Sequence, residues 1–165
     1  HVGTIYKIKN QSFLVEIFAE MLKSQPNSKL VLVGEKVDIE PVIEKAKSLG
    51  VTDKIIFAGQ RSDIDKFYSA IDIIIFPSLH EALPLSLIEA QASKLPCLSS
   101  DTVTTEVKFN ENVDFMSLES SAHNWSVRAF ELLNFNRNNV SIKKLKSTYD
   151  IEISANKLEC IYQQK

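Results

Sequence analysis

The stretch IDIIIFPSLHEALPLSLIEAQASKLPCLSSD, residues 71 to 101, contains two apolar runs on either side of one helical segment. The first run, Ile71–Pro77, is mostly apolar, which is typical of a strand buried on both faces. Pro84 is suited to the first turn of a helix, and a second strand is predicted over Cys97–Asp101. The stretch therefore predicts a strand, a helix and a strand, which is the repeating unit of a parallel sheet covered by helices.

The same alternation continues on both sides of this stretch. Crossover helices are predicted over Gln11–Ser24 and over Ile39–Leu49, the second with Asp38 as its N-cap. After residue 120 no strand is indicated, and two or three helices are expected. Their apolar side is predicted to carry Trp125, Phe130 and Leu133, and the remaining predicted strands are Val2–Ile5, Lys29–Gly34, Lys54–Gly59 and Val113–Leu118.

This order predicts an α/β fold, a Rossmann-like doubly wound parallel sheet of about six strands with a helical C-terminal tail. We assign residues 1–120 to the sheet domain and residues 121–165 to helices that pack on the same domain. The first residues, His1 to Gly3, resemble the end of a strand already under way. The chain is therefore expected to be the back part of a longer protein.

Composition and charge exclude several classes of protein. The 165 residues are 44% hydrophobic and carry a net charge of -2. These values suit a single core and provide no basic surface for nucleic acid. Cys97 and Cys160 lie far apart without other ligand-type residues nearby, which favours free thiols in a reducing cytoplasm. No apolar stretch reaches the roughly 18 residues of a membrane span.

The loop that follows Pro77 is a candidate ligand site, because doubly wound sheets bind ligands beyond the carboxyl ends of their strands. A helix that begins near residue 84 presents unpaired amides and the positive end of its dipole. The amides expected to be available are those of Ala82, Leu83 and Leu85. Such a helix start is suited to an anion, and a diphosphate fits it.

Two glutamates flank this helix start. A carboxylate at Glu81 or Glu89 repels phosphate but accepts hydrogen bonds from hydroxyl groups. Hydroxyls on both sides of a diphosphate describe a sugar nucleotide, so the pair is consistent with a clamp, one residue for the sugar and the other for the ribose. In the alternative interpretation, Glu81 favours the helix dipole and Glu89 is an exposed residue of an amphipathic helix.

The order of these segments resembles a known family. The run PSLHEALPLSLIEAQASKLPCLSSD (77–101) is similar to the donor-site segment of the retaining glycosyltransferases of family 4, whose second GT-B domain carries two glutamates separated by seven residues. Residues 1–34, 54–78 and 97–107 resemble the opening, the middle and the following strand and loop of the same domain. The resemblance covers about residues 1–118 and the helical tail more loosely.

The resemblance implies a role for each site residue. Glu81 is expected to bind hydroxyls of the transferred sugar, Glu89 the ribose and Lys9 the diphosphate. Glu81 and Lys9 are the implied catalytic residues. Thr4 stands where the family has an arginine that also binds the diphosphate, and this departure is expected to weaken leaving-group stabilisation. Lys7 is a partial substitute for that arginine.

Two further features belong to the implied donor site. The loop Gly59–Asp63, which includes Arg61, resembles the segment that reads the nucleotide base. It is equally consistent with a turn whose Ser62 or Asp63 caps the next helix, and both interpretations can hold together. Ala82 replaces a glycine that is common in the family, which restricts how closely the backbone approaches the phosphate.

The resemblance therefore implies the donor-binding part of a retaining, metal-independent hexosyltransferase that uses a nucleoside-diphosphate sugar, with no cofactor. The implied partners are a saccharide or lipid-linked acceptor, in capsule or exopolysaccharide biosynthesis, and the N-terminal GT-B domain of the same protein. The chain alone is expected to be inactive. A cytoplasmic location is implied, with peripheral membrane association through the missing half as one variant.

Two alternatives stay open at this stage. One is a sugar-nucleotide epimerase, which shares the GT-B architecture. The other is a non-catalytic sugar-nucleotide-binding module, which Thr4 in place of arginine favours.

Overall fold

The computed structural model describes residues 1–163 and shows alternating strands and helices. The strands in this range are β1 (Leu30–Val33), β2 (Ile55–Gly59), β3 (Ile74–Phe76), β4 (Cys97–Ser100) and β5 (Val113–Met116). The helices are α1 (Gln11–Ser24), α2 (Glu40–Ser48), α3 (Ile64–Ala70), α4 (Leu85–Ala92), α5 (Ala122–Leu133), α6 (Lys143–Tyr149) and α7 (Ile151–Gln163).

All strand pairs are parallel. β1 pairs with β2, and β3, β4 and β5 form a second sheet with β4 in the middle. The amino-terminal segment joins β1 through two isolated bridges, Val2 with Val33 and Ile5 with Lys36. The α/β class, the parallel pairing and the helical tail are confirmed. The first predicted strand forms only these two bridges, because the chain turns at residues 7–9 directly after them.

Two clusters of buried apolar side chains hold the layers together. The first joins α1, α2 and α5 to the β1 side of the structure. Trp125 is fully buried there, as predicted, and its indole N–H donates to the Ser117 carbonyl at 3.0 Å. The second cluster lies between α4 and the three-stranded sheet, around Phe76 and Leu87. Since the apolar side chains fill these two layers, polar residues that bind ligands are left to the loops at the strand ends.

The start of α2 differs from the sequence prediction. The helix begins at Glu40 with Ile39 at the N-cap, so the prediction of Asp38 as its cap is wrong. The backbone N–H of Asp38 donates instead to the Ile5 carbonyl at 2.9 Å. Asp38 is thereby held against the amino-terminal segment, two residues before the first residue of the helix.

A cavity of about 810 Å³ lies at the amino ends of β1 and β3, beneath His1. The backbone nitrogen of His1 donates to the Val31 carbonyl at 2.8 Å, and the imidazole stacks on Phe76 with the ring centroids 5.0 Å apart. The lining of the cavity is mainly apolar and lies at the wrong edge of the strands for a phosphate ligand.

The C-terminal helices differ in burial. Leu145 of α6 is buried, whereas α7 is exposed along its length. Within residues 1–163, no helix is long and apolar enough to cross a bilayer. The domain boundary at residue 120 stays a prediction, and residues 164 and 165 of the predicted tail lie outside the described residues.

Candidate functional site

Three loops meet at the carboxyl ends of the strands and form the candidate site. The first is the turn Lys7–Lys9, whose Ile8 carbonyl accepts a hydrogen bond from the Leu79 amide at 2.8 Å. This bond joins it to the second loop, which follows β3. Glu81 of the second loop forms a parallel bridge with Val103 of the third, which follows β4. The backbone contacts fix the positions of the side chains that these loops carry.

Lys9 and Glu81 form an ion pair at the centre of these loops. Their side chains are largely buried, with 22% and 15% of their surface exposed, and Lys9 Nζ also lies 5.2 Å from the Phe76 ring centroid. Glu81 Oε1, the oxygen that faces Lys9, makes no hydrogen bond of good geometry within residues 1–163. The ion pair with Lys9 is therefore the polar contact that this buried oxygen makes in the described residues.

Glu89 occupies a separate position, in the second turn of α4. Its Oε2 accepts a hydrogen bond from the Tyr68 hydroxyl at 2.9 Å. Burial, reinforced by the Glu89 carboxylate, raises the pKa of Tyr68 far above its ordinary value. The phenol is therefore a permanent hydrogen-bond donor to Glu89 at physiological pH.

Thr4 and Arg61 line one cavity of about 180 Å³, between the amino-terminal segment and the loops after β1 and β2. Arg61 forms a bidentate pair with Asp63, at 2.8 and 2.9 Å. The hydrogen bonds of this pair raise the pKa of Arg61 and lower the pKa of Asp63. Asp63 occupies the N-cap of α3, one of the two predicted positions, but its side chain makes no capping hydrogen bond. Its carboxylate is held by Arg61 instead.

The start of α4 lies beside Glu81. The helix begins at Leu85, with Pro84 at the N-cap rather than in the first turn. The Pro84 carbonyl accepts hydrogen bonds from the backbone amides of Leu87 and Ile88. The preceding amides of the turn have no intrahelical acceptor. Ala82 is exposed, and Leu83 and Leu85 are 44% and 60% exposed, so a ligand can approach this helix end.

Two hydroxyl residues at the end of β4 support the same loop through contacts that the sequence does not predict. Ser100 Oγ donates to the Ser78 carbonyl at 2.5 Å, and Thr102 Oγ1 donates to the same carbonyl at 2.8 Å. Ser78 lies three residues before Glu81. The signal for these residues is the run SSDT directly after a buried strand, although Ser and Thr are also common turn formers.

The structure thus brings together some of the predicted residues and separates others. Lys9 contacts Glu81, and Thr4 shares a cavity with Arg61, whereas the partner of Glu89 is Tyr68, which is not among the predicted residues. The spacing of residues 68 and 89 along the chain gives no signal for this contact. The ligand assigned to each residue stays a prediction.

Metal and thiol chemistry have few candidate residues. Within residues 1–163, no group of three His, Cys, Asp or Glu side chains is placed to hold a metal ion. The two cysteines are free, as predicted, with Cys97 buried and Cys160 exposed. Burial raises the pKa of the Cys97 thiol well above its ordinary value, so it is not a reactive thiolate.

Comparison with known proteins identifies the family. Residues 1–133 match the family described as glycosyl transferases group 1, and the chain belongs to this family. Glycosyltransferase EpsF of Bacillus subtilis (strain 168) is 34% identical over 107 residues, which are 65% of this chain and 28% of EpsF. The chain therefore corresponds to only part of the length of such a relative.

Solved structures show that the fold is that of one GT-B domain. HepE of Anabaena, in complex with UDP and glucose, superposes with a TM-score of 0.80 at 16% identity, over 98% of this chain and 47% of HepE. The C-terminal domain of the group 1 glycosyl transferase LpcC from Francisella tularensis superposes with a TM-score of 0.71 at 24% identity. That comparison covers 90% of this chain and 83% of the LpcC domain.

Proposed function

We propose that the chain is the donor-binding half of a retaining glycosyltransferase of family 4. The reaction is transfer of a hexosyl group from a nucleoside-diphosphate sugar to a saccharide or lipid-linked acceptor. The observation that carries the proposal is the contact between Lys9 and Glu81. A cation suited to diphosphate and a carboxylate suited to sugar hydroxyls lie side by side, as the two sides of the donor's glycosidic bond require.

Lys9 and Glu81 have complementary parts in the proposed reaction. When the donor binds, the Lys9 ammonium turns to the diphosphate and the Glu81 carboxylate accepts hydrogen bonds from the sugar. Negative charge on the diphosphate grows as the bond to the sugar breaks, so Lys9 stabilises the transition state more than the ground state. The helix end at Ala82, Leu83 and Leu85 contributes the positive end of its dipole to the same group.

Two further features are assigned to the nucleoside: Glu89 binds the ribose, and the loop that carries Arg61 binds the base. Thr4 lines the same cavity as Arg61 and is assigned to the diphosphate, to which it offers a hydroxyl in place of a guanidinium. Complexes of HepE with UDP and glucose support a uridine nucleotide as the first donor to test.

Metal-independent transfer without an organic cofactor is part of the proposal. The positive charge that the leaving diphosphate needs is assigned to Lys9 and to the N-terminus of α4. Both lie in the same loop cluster as Glu81, and neither requires a bound ion. Addition of a chelator is therefore expected to leave donor binding unchanged.

The acceptor side is assigned to an N-terminal GT-B domain of the same protein. This chain covers 28% of EpsF and 47% of HepE, which supports that assignment. We place the whole enzyme in capsule or exopolysaccharide biosynthesis, on the cytoplasmic side, with the missing half as the element that reaches a membrane-bound acceptor. The chain alone is expected to transfer no sugar, because positioning of the acceptor supplies roughly 7–11 kcal/mol of such a barrier.

A nucleotide panel tests the proposal. UDP, ADP, GDP and CDP are titrated by calorimetry into the 165-residue chain, then into Lys9→Ala and into Lys108→Ala, an exposed lysine outside the ion pair. We expect one nucleotide to bind and Lys9→Ala to weaken it about tenfold, the value of one hydrogen bond to a charged group. Absence of nucleotide binding, or equal nucleotide affinity of the two variants, contradicts the proposal.

A further inference from the structure

Tyr68 is anchored in the core at one end and meets the candidate site at the other. It lies on α3 and is only 3% exposed, and its ring packs in the cluster that also contains Phe76 and Leu87. A buried phenol requires a partner for its hydroxyl. The hydroxyl reaches the next helix, α4, where the Glu89 carboxylate lies at 2.9 Å.

Glu89 is not needed to satisfy this hydroxyl. The Ser86 carbonyl lies 3.1 Å from the same Tyr68 oxygen and is a sufficient acceptor for its single proton. The carboxylate is the closer acceptor and the stronger one, because it is ionised. The contact therefore acts mainly on the carboxylate, which would otherwise be a mobile group on an exposed helix residue.

The hydrogen bond restricts the Glu89 side chain before any ligand arrives. An exposed glutamate loses considerable rotamer freedom when it is ordered. Tyr68, which is immobile because of its packing, holds Glu89 Oε2 in one position. Glu89 Oε1 makes no hydrogen bond within residues 1–163, so one oxygen is fixed while the other is available as an acceptor.

We propose that Tyr68 is a positioning residue, which orients the Glu89 carboxylate to accept hydrogen bonds from the ribose hydroxyls of the nucleotide. This inference rests on the proposed function and adds a determinant of sugar specificity to the same site. In this arrangement the buried Tyr68 increases the preference of the site for a ribonucleotide over a deoxyribonucleotide. Tyr68 itself makes no contact with the ligand in this arrangement.

The experiment compares ribose with deoxyribose in variants that differ by one oxygen atom. UDP and 2′-deoxy-UDP are titrated into the unaltered chain, into Tyr68→Phe and into Tyr149→Phe. The second substitution removes a phenol hydroxyl at the end of α6, where the Tyr149 ring contacts Phe109, and is the control. If the panel above selects another base, the corresponding ribo and deoxyribo pair is used. Thermal unfolding of each variant confirms that the fold is retained.

We expect the unaltered chain and Tyr149→Phe to prefer the ribonucleotide equally. Tyr68→Phe is expected to bind it about three- to tenfold more weakly, within the range of one net hydrogen bond, and to lose less affinity for the deoxyribonucleotide, which keeps only the 3′-hydroxyl. Equal weakening of both ligands, or an unchanged preference, overturns the positioning role while the proposed function stands. Absence of any nucleotide binding by the unaltered chain overturns the proposed function itself.

Discussion

Lys9 and Glu81 neutralise each other in the unliganded site, although they come from loops that lie far apart along the chain. A free nucleoside diphosphate must therefore compete with Glu81 for the Lys9 ammonium. A nucleotide sugar meets a different situation, since its sugar hydroxyls can satisfy Glu81 while its diphosphate takes Lys9. Under the proposed function, the ion pair should therefore favour the sugar nucleotide over the free diphosphate that is left after transfer.

Glu81→Ala is expected to reverse this preference. Binding of the free nucleoside diphosphate should become about two- to fivefold tighter, because Lys9 is released from an ion pair that is partly exposed and worth at most about 1 kcal/mol. Affinity for the nucleotide sugar should fall, because the hydroxyl acceptor is lost. Calorimetry with both ligands measures the ratio, and Glu106→Ala, an exposed glutamate of the loop after β4, is the control. Equal losses for both ligands would contradict the assignment of Glu81 to the sugar.

Removal of both hydroxyls that hold the Ser78 carbonyl should weaken the sugar end of the site. In Ser100→Ala/Thr102→Ala the loop that carries Glu81 loses two hydrogen bonds, each worth about 0.5–1.5 kcal/mol. We expect affinity for the nucleotide sugar to fall about tenfold, with less than about threefold change for the free diphosphate. Thr102→Ser keeps the donor and should bind normally.

Thr105→Ala is the control for this double substitution, since it removes an exposed hydroxyl from the same loop. If the double variant lost both ligands equally, the hydroxyls would support the whole domain rather than the position of Glu81.

Gly34→Ala should destabilise the fold strongly. Gly34 has φ near +149°, and a Cβ atom there would collide with the Gly3 carbonyl oxygen. Because this neighbour is backbone, the sheet must move, and we expect a loss of at least about 3 kcal/mol in the free energy of unfolding. Gly50→Ala is the matched comparison, with φ near +68° but no atom within 4 Å. It should cost about 1–2 kcal/mol in urea unfolding, and equal losses would refute the collision.

The sequence predicts the strands and the loop cluster well because their signals are local. Apolar runs mark β1 to β5, and the alternation with helices sets the edge at which Glu81 and Lys9 must lie. The apolar side of α5 is less well predicted. Trp125 is buried, but the structure buries Ala129 and Leu132 beside it and leaves Leu133 36% exposed. The large apolar side chains predict one buried face of α5, whereas close packing of α5 against α1 buries the small residue Ala129.

Contacts between distant segments could not be predicted in the same way. The pairing of Lys9 with Glu81 depends on how two loops meet. The backbone hydrogen bond from the Leu79 amide to the Ile8 carbonyl holds these loops together. The contact of Tyr68 with Glu89 depends on how α3 and α4 pack. The spacing of residues along the chain predicts neither contact. The family resemblance predicts the candidate site residues, and the structure shows which residues they contact.

Thr4→Arg tests whether the site is a weakened enzyme or a binding module. The cavity that Thr4 shares with Arg61 is open to a longer side chain, and the Thr4 carbonyl, which accepts from Gln11 Nε2 at 2.9 Å, is not altered by the substitution. A guanidinium there should strengthen nucleoside-diphosphate binding about tenfold or more, as one or two charged hydrogen bonds allow. Thr4→Lys should gain less, because an ammonium cannot form a bidentate pair.

The transfer rate of the full-length protein then separates the two functions. In a weakened enzyme, Thr4→Arg stabilises the leaving diphosphate in the transition state and should raise the rate by one to two powers of ten, about 1.4 kcal/mol for each. A non-catalytic module gains affinity and no turnover. Unchanged affinity in both Thr4→Arg and Thr4→Lys would show that residue 4 does not face the diphosphate at all, and the assignment of Lys9 to the same group would then need a different docking of the donor.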